Sequence, residues 1–360
     1  MIFGGDIACP TVELSEHLNT VFINNKNVFE GKNKYFNLEG LVADDITTNT
    51  VSPIVFNHSS VISVLNKNRT LGVSLANNHT LDTPQYFNNT QYHLEQNNIL
   101  FSGAGLSVDE AQKVVELNED GIEISIFNYC WDFLLYHQKN PTNGVYISEI
   151  FESKIVDDIL KYKHNFPNRK LVVYMHWSFD LEILPFPMYR QFSKDLIDIG
   201  VTAVIGCHSH CVQGGEKYKN GYIVYGLGNF FFPYNVFVNG SLTFPDFAKK
   251  ELVFELDFAT NKATCHWFDY NNSNQTHELS YIVSETFETS LELRKYSPYM
   301  EMTEGEYYNY FKLNRRKKFL IPIYRDYKNV FSNNLYTSYL KMRGRLARIL
   351  AKRRLIKWQS

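Results

Sequence analysis

Short apolar runs, each ended at once by a polar or glycine-rich break, set the rhythm of the first two-thirds of this chain. Met1–Gly5, Leu71–Leu75, Leu171–Met175, Val201–Ile205 and Tyr222–Tyr225 are such runs, and they predict strands buried on both faces. Between them the apolar residues recur at helical spacing. Ile150, Phe151, Ile155, Ile159 and Leu160 predict a helix over Ser148–His164, and further helices are expected over Ser59–Leu65, Pro84–Asn97 and Met188–Ile199. Residues 112–117 and 121–128 read as a β pair turned at Asn118–Gly121. Strand and helix alternate, so the expected fold class is α/β, with a mostly parallel sheet covered by helices. After about Ala248 the pattern changes. Glu251–Phe258 and Ala263–Tyr270 alternate apolar and polar residues around Ala259–Lys262, which predicts a β-hairpin. Beyond Glu285 the chain reads as helical and then basic.

The polar residues that end these runs carry the candidate chemistry. Asp6, Glu39, Asn78, His79, His176, His208 and His210 each stand at or just after a predicted strand end, where open α/β sheets place their ligands. Carboxylates, neutral imidazoles and an amide oxygen suit divalent Mn, Zn, Fe or Mg. His208 and His210, two apart in an extended turn, would point to the same side and share a cation; the plainer reading is two loop histidines that cap backbone groups. Two metal ions with one bridging carboxylate would clamp a displacement at phosphorus. In that arrangement Asp6 and His210 hold one ion, Asn78, His176 and His208 the other, and Glu39 bridges. His79 stays free as general acid, oriented by Asp82. Trp177 and Asn229 are candidates to line the substrate pocket, with packing an even alternative for the tryptophan. Cys207 and Cys211 flank the histidine pair and read as structural thiols.

Charge then divides the chain. The 360 residues carry a formal net charge of −2, yet Phe311–Ser360 holds fifteen Lys and Arg against one acid, Asp326, so an acidic body of about −16 bears a basic tail. Leu335, Tyr339, Leu346 and Trp358 alternate with those cations. The tail therefore reads either as a helix packed on the acidic body or as a peripheral contact with an anionic membrane surface; no specific nucleic-acid signal accompanies it. Five cysteines, an odd number in a long chain, argue against a disulfide framework. With no run of about 18 apolar residues and no leader-like start, the expected location is cytoplasmic, peripheral at the inner membrane face if the tail binds lipid.

Gly5-Asp6, Asn37-Leu-Glu-Gly40, Ala76-Asn-Asn-His-Thr-Leu-Asp82, His176-Trp177, Gly206-Cys-His-Ser-His210 and Tyr225-Gly-Leu-Gly-Asn-Phe230 occur in this order. As an ordered set they resemble the bacterial capsule-synthesis protein CapA family, of the poly-γ-glutamate type, over roughly residues 1–245. That family is similar in turn to calcineurin-like metallophosphatases. The resemblance implies a four-layer αββα metallophosphatase-like sandwich with a two-metal site. It also implies a role in capsule or surface-polymer biosynthesis, acting on the polymer or its precursor. A metal-dependent phosphoesterase-like hydrolase is the first expectation; a non-catalytic protein that binds polymer or partner enzymes is the alternative. The chain departs from the pattern at Ala8, where metallophosphatases have a second histidine, at Ser178, where the family has glycine, and at Ser209, where it has proline. Asp180 stands where an acid is common and is a further candidate to contact substrate. The expected organisation is a core over 1–245, a β extension over 246–284 that completes or flanks the sheet, and a helical basic region over 285–360.

Overall fold

The computed structural model describes residues 1–49, 54–135, 140–271, 277–319, 321 and 323–352. Its strands, in chain order, are Ile2–Ile7 (β1), Lys34–Leu38 (β2), Thr70–Ser74 (β3), Leu100–Ser102 (β4), Val115–Glu119 (β5), Ile122–Cys130 (β6), Lys170–His176 (β7), Ala203–Cys207 (β8), Val212–Tyr218 (β9), Gly221–Leu227 (β10), Asn229–Phe231 (β11), Lys250–Asp257 (β12), Lys262–Asn271 (β13) and Glu278–Thr286 (β14). Two further pairs of two-residue strands lie in the loops. The main helices are Val12–Asn24 (α1), Ser60–Lys67 (α2), Phe87–Gln96 (α3), Glu152–Asn165 (α4), Pro187–Asp198 (α5), Leu291–Tyr296 (α6), Glu304–Asn314 (α7) and Val330–Lys352 (α8).

The strands form two sheets. One runs β14-β13-β12-β1-β2-β3-β4, with β11 also paired to β1; the other runs β9-β10-β8-β7-β6-β5. Alternating side chains explain why the sheets stack. Phe3, Tyr35, Val172, Tyr174, Ile205, Val224 and Phe254 point into a shared layer between them. Their sequence neighbours point outward. Ile2, Phe36 and Val73 meet Leu14, Leu18 and Phe22 of α1 and Val61 and Leu65 of α2. Leu171, Val173 and Met175 meet Ile155 and Ile159 of α4 and Phe192 and Leu196 of α5. The chain is thus a four-layer αββα sandwich, as the resemblance implies.

The structure corrects the expectation in several places. The sheets are mixed rather than mostly parallel, because β12 runs antiparallel to β1, β13 to β12, β14 to β13 and β9 to β10. The expected hairpin is a three-stranded meander, and it joins the first sheet through Ile2↔Glu255 and Phe3↔Phe254. Helix α4 begins at Glu152, not Ser148, because the preceding Ile150 amide is bonded to the Cys130 carbonyl at 2.9 Å. Of the basic tail, Val330–Lys352 is helical, whereas the described residues between Asn314 and Val330 are not; Trp358 lies outside the described residues.

The C-terminal region is fastened to the second sheet by one buried ion pair. Arg190 of α5 is 1% exposed and grips Glu216 of β9 through Nε at 2.8 Å and Nη2 at 3.0 Å. The same guanidinium donates to the carbonyls of Met302 and Tyr299, both at 3.0 Å, and Tyr225 Oη donates to Glu216 at 2.7 Å. Every charged-group valence is filled, which is the condition under which a buried pair is tolerated. No helix among the described residues is long and apolar enough to cross a membrane.

Replacing Arg190 with methionine should destabilise the protein by about 3 kcal/mol in urea titration, because buried Glu216 loses its bidentate partner and keeps only the longer contact to Lys194, at 3.6 Å, as a countercharge. The double replacement with Glu216→Leu should recover most of that loss. An Arg190→Met protein as stable as the parent would contradict the clamp.

Candidate metal centre

The candidate residues gather where the carboxyl ends of both sheets meet. In the first sheet Asp6 is flanked in register by Asn37 on β2 and by Asn229 on β11. In the second, His176 at the end of β7 is flanked by Cys130 and Cys207. Close approach of β11 depends on Gly5, where an added Cβ would stand 1.9 Å from the Gly228 carbonyl oxygen. Gly228 itself has φ +82°, a conformation that glycine adopts without strain.

Asp6 and Glu39 are fully buried. Asn37 Nδ2 donates to Asp6 Oδ1 at 2.8 Å, and the His208 amide donates to Asp6 Oδ2 at 3.3 Å. His210 Nδ1 lies 3.5 Å from Asp6 Oδ2 and 2.8 Å from Asn229 Oδ1. His176 Nε2 lies 2.9 Å from Asn78 Oδ1 and 3.9 Å from Glu39 Oε1. The rings of His176 and His208 are 4.6 Å apart and those of His208 and His210 5.8 Å. Ligand atoms of Glu39, His208 and His210 all lie within 4.8 Å of one another. Outside this cluster, yet touching it, His79 Nδ1 lies 2.6 Å from Asp82 Oδ2 and its Nε2 lies 3.7 Å from Glu39.

Two observations fit this donor set to a divalent cation. Both Glu39 oxygens and His208 Nδ1 are buried with no hydrogen-bond partner in the protein, a costly state for a carboxylate. Two of the imidazoles, those of His176 and His210, are biased toward the neutral form that binds metal. Burial, reinforced by His208, His210 and His79, pushes His176 well below the usual histidine range, and burial lowers His210 as well. Glu39 is pushed well above the usual carboxylate range by burial and then by Asp6, Asp180 and Asp82. Burial likewise raises Asp6. A bound cation reverses the sign of that environment.

The remaining candidates divide. Asp180 Oδ1 sits 3.0 Å from His208 Nε2, which leaves His208 Nδ1 facing the cluster. Burial alone would raise Asp180, but the charge and hydrogen bond of His208, with His210 and Lys317, hold it below the usual range. Asn229 holds the opposite histidine. Trp177 does not line the pocket. It is 1% exposed, donates its indole N–H to the Tyr225 carbonyl at 2.8 Å and stacks on Tyr189 at 4.5 Å. The extended geometry expected for His208 and His210 is also corrected: φ is +87° and +51°, both in the left-handed region, and such strain concentrates at functional sites. Ser178, in the place of the family's glycine, has φ +78°, which accounts physically for a glycine there. Ala8 is wholly buried and supplies no ligand.

Sequence reasoning missed the amides that hold the ligands. Asn77 Nδ2 donates to Asn37 Oδ1 at 3.2 Å and to the Leu38 carbonyl at 2.9 Å, while its Oδ1 caps the Asn78–Leu81 turn at Thr80. Asn57 Nδ2 donates to the Glu39 carbonyl at 2.9 Å. The Asn77-Asn78 pair was the available signal: one amide faces the site and its neighbour braces it.

A family model described as bacterial capsule synthesis protein PGA_cap matches residues 2–234. The capsule biosynthesis protein CapA of Bacillus anthracis is 25% identical over 169 residues, 44% of this chain and 39% of that protein. The PGA biosynthesis protein CapA of Bacillus subtilis (strain 168) is 28% identical over 167 residues, 44% of this chain and 41% of that protein. The chain thus spans about two-fifths of the length of the curated relatives it matches. Among solved structures, a putative 5'-nucleotidase from Staphylococcus aureus is similar with TM-score 0.42 at 12% identity, over 82% of this chain and 57% of that one. The Thermus thermophilus sulfate thiohydrolase SoxB follows with TM-score 0.40 at 11% identity, over 78% and 46%.

Adding Mn²⁺ or Zn²⁺ should raise the melting temperature of the metal-free protein, by an amount equivalent to about 2.7 kcal/mol at a hundredfold excess over Kd. Glu39→Gln should melt higher than the parent without metal, since an unpaired buried carboxyl is removed, and should lose most of the metal-induced rise. Equal metal responses in both proteins would remove Glu39 from the site.

Proposed function

This chain belongs to the family of bacterial capsule synthesis proteins, and from that premise we propose that it is a metal-dependent phosphoesterase-like hydrolase in the biosynthesis of a capsule or related surface polymer. The observation that carries this reading is the convergence of Asp6, Glu39, Asn78, His176, His208 and His210 around a carboxylate whose oxygens no protein group satisfies. Asp6 and His210 would hold one divalent ion, Asn78, His176 and His208 a second, and Glu39 would lie between them. Bound there, such ions neutralise phosphoryl charge and lower the pKa of water. The substrate class is a phosphate ester on the polymer or its precursor. Poly-γ-glutamate is one candidate polymer, after the name of the Bacillus subtilis relative.

The protein's own groups do the rest. His79 is the proton donor. Burial would lower its pKa, but the charge and hydrogen bond of Asp82 outweigh burial and raise it, which favours the protonated form that a proton donor needs. Asp82 accepts the hydrogen bond of His79 Nδ1–H and thereby turns Nε2 toward the centre. Asp180 and Asn229 fix the two strained histidines, and Phe232 and Phe244 pack on the His210 ring at 5.3 and 5.0 Å, which keeps water off that flank.

His79→Gln should slow turnover with an alkyl alcohol as leaving group by about 10²- to 10⁴-fold, the range for loss of a general acid. An aryl phosphodiester, whose phenolate needs no proton, should suffer far less. Steady-state kinetics with Mn²⁺ supplied, together with elemental analysis, check this. A protein that refuses metal and hydrolyses neither ester favours a non-catalytic binding role in the same machinery.

We also infer that α8 meets an anionic membrane surface. Phe331, Leu335, Tyr339, Met342 and Leu346 recur at helical spacing and are all 47–77% exposed. The opposite face, with Leu340 buried and Lys341 paired to Asp132 at 2.7 Å, fastens the helix to the body. Val330–Lys352 carries five cations and no acid, the charge pattern of an interfacial helix. Leu335→Glu combined with Met342→Glu should abolish co-sedimentation with phosphatidylglycerol vesicles; unchanged sedimentation rejects the membrane face.

A further inference from the structure

A turn beside the metal centre ties it to a basic segment far along the chain. Asp180 contacts His208 at 3.0 Å, and the next amide, of Leu181, donates to the Ser209 carbonyl at 2.8 Å. The following residue, Glu182, is 1% exposed. Its main-chain carbonyl accepts from Gln213 Nε2 at 2.7 Å, which holds it against β9. Its carboxylate faces the other way and accepts the amides of Arg316 at 3.0 Å and Lys317 at 2.9 Å. The carboxylate also accepts the neighbouring amides of Ile183 and Leu184, at 3.1 and 3.4 Å, so local bonds fix its orientation and the two charge-assisted bonds to a segment 134 residues away anchor that segment.

The anchor leaves two cations beside the centre. The Arg316 guanidinium lies 4.0 Å over the Phe247 ring. Phe247 stands three residues from Phe244, whose ring is 5.0 Å from that of His210. Arg316 is exposed and Lys317 partly so, and the charge of Lys317 acts on Asp180. Neither side chain forms an ion pair among the described residues. Stacking on an aromatic ring orients Arg316 without neutralising it. These residues lie beyond the 2–234 stretch that matches the family, so the rim is an addition made by the C-terminal region.

We propose that Arg316 and Lys317 form a cationic rim that binds a second oxyanion of the substrate, a phosphate or a carboxylate, adjacent to the ester that reacts at the metal centre. The inference rests on the phosphoester reading of that centre, because the rim serves a group lying next to the reacting one. It assigns specificity to a segment that touches no metal ligand: a substrate with anionic groups on both sides of the ester binds in preference to one with a single charge.

The test measures binding of tri-γ-glutamate and of glucose 1,6-bisphosphate to the full-length chain by calorimetry, beside metal content by elemental analysis. At least one probe should bind the parent protein, and Arg316→Ala with Lys317→Ala should weaken it by about tenfold or more, the equivalent of one good charge-assisted contact. Exchanging the two cations, Arg316→Lys with Lys317→Arg, should restore most of the affinity. Whichever probe responds identifies the oxyanion as carboxylate or phosphate. A parent protein that loads metal but binds neither probe, or binds both equally well without the two cations, overturns the rim. A protein that loads no metal yet loses probe binding in the double variant keeps the rim and discards the phosphoester reading.

Discussion

Burying carboxylates without a countercharge is the constraint around which this molecule is built. Asp6 and Glu39 lie at the junction of two sheets, fully excluded from solvent. Asp6 is partly relieved by an asparagine amide and a backbone N–H, whereas Glu39 has no partner for either oxygen. An uncompensated carboxylate in such a place costs several kcal/mol, and the imidazoles of His176 and His210, which burial biases toward the neutral form, do not offset it. A divalent cation can. The surrounding amides of Asn37, Asn57 and Asn77 then make sense as supports that position ligands without adding charge.

The sandwich supplies that junction by register. Asp6, Asn37 and Asn229 stand side by side at the end of one sheet, and His176 stands at the matching end of the other. Neither sheet alone holds a complete donor set. Packing of Phe3, Tyr35 and Tyr174 between the sheets therefore does two jobs, since the apolar contact that stabilises the fold also fixes the distance between the two halves of the site. Strain at His208 and His210 is sustained in the same way, by Asp180 and Asn229 holding their ring nitrogens.

The C-terminal region belongs to this scheme rather than trailing from it. Arg190 and Glu216 fasten it to the second sheet, and Glu182 draws Arg316 and Lys317 toward the centre. Both attachments use a buried charge that is fully hydrogen-bonded, one by a guanidinium and one by backbone amides. The acidic body and basic tail seen in the composition are thus partly reconciled at specific contacts, while the outward face of α8 keeps its apolar stripe.

Local pattern determined the strands, most helices and the polar residues at strand ends, because periodicity and turn chemistry act over a few residues. It was enough to place Asp6, Glu39, His176, His208 and His210 at equivalent positions and so to foresee their meeting. Helix α1 was overlooked, although Thr11 caps it and Leu14, Leu18, Val21 and Phe22 form its buried stripe. Other features had no local signal. Trp177 went to the core because Tyr189 and the Tyr225 carbonyl lay within reach. The histidine pair adopted positive φ because Asp180, Asn229 and Asp6 pulled from different elements. Glu182 met Arg316 across 134 residues. Which residues carry charge and which face is apolar were written in the chain; which charges meet was decided only when the two sheets closed, since contact between distant segments depends on packing that no short window contains.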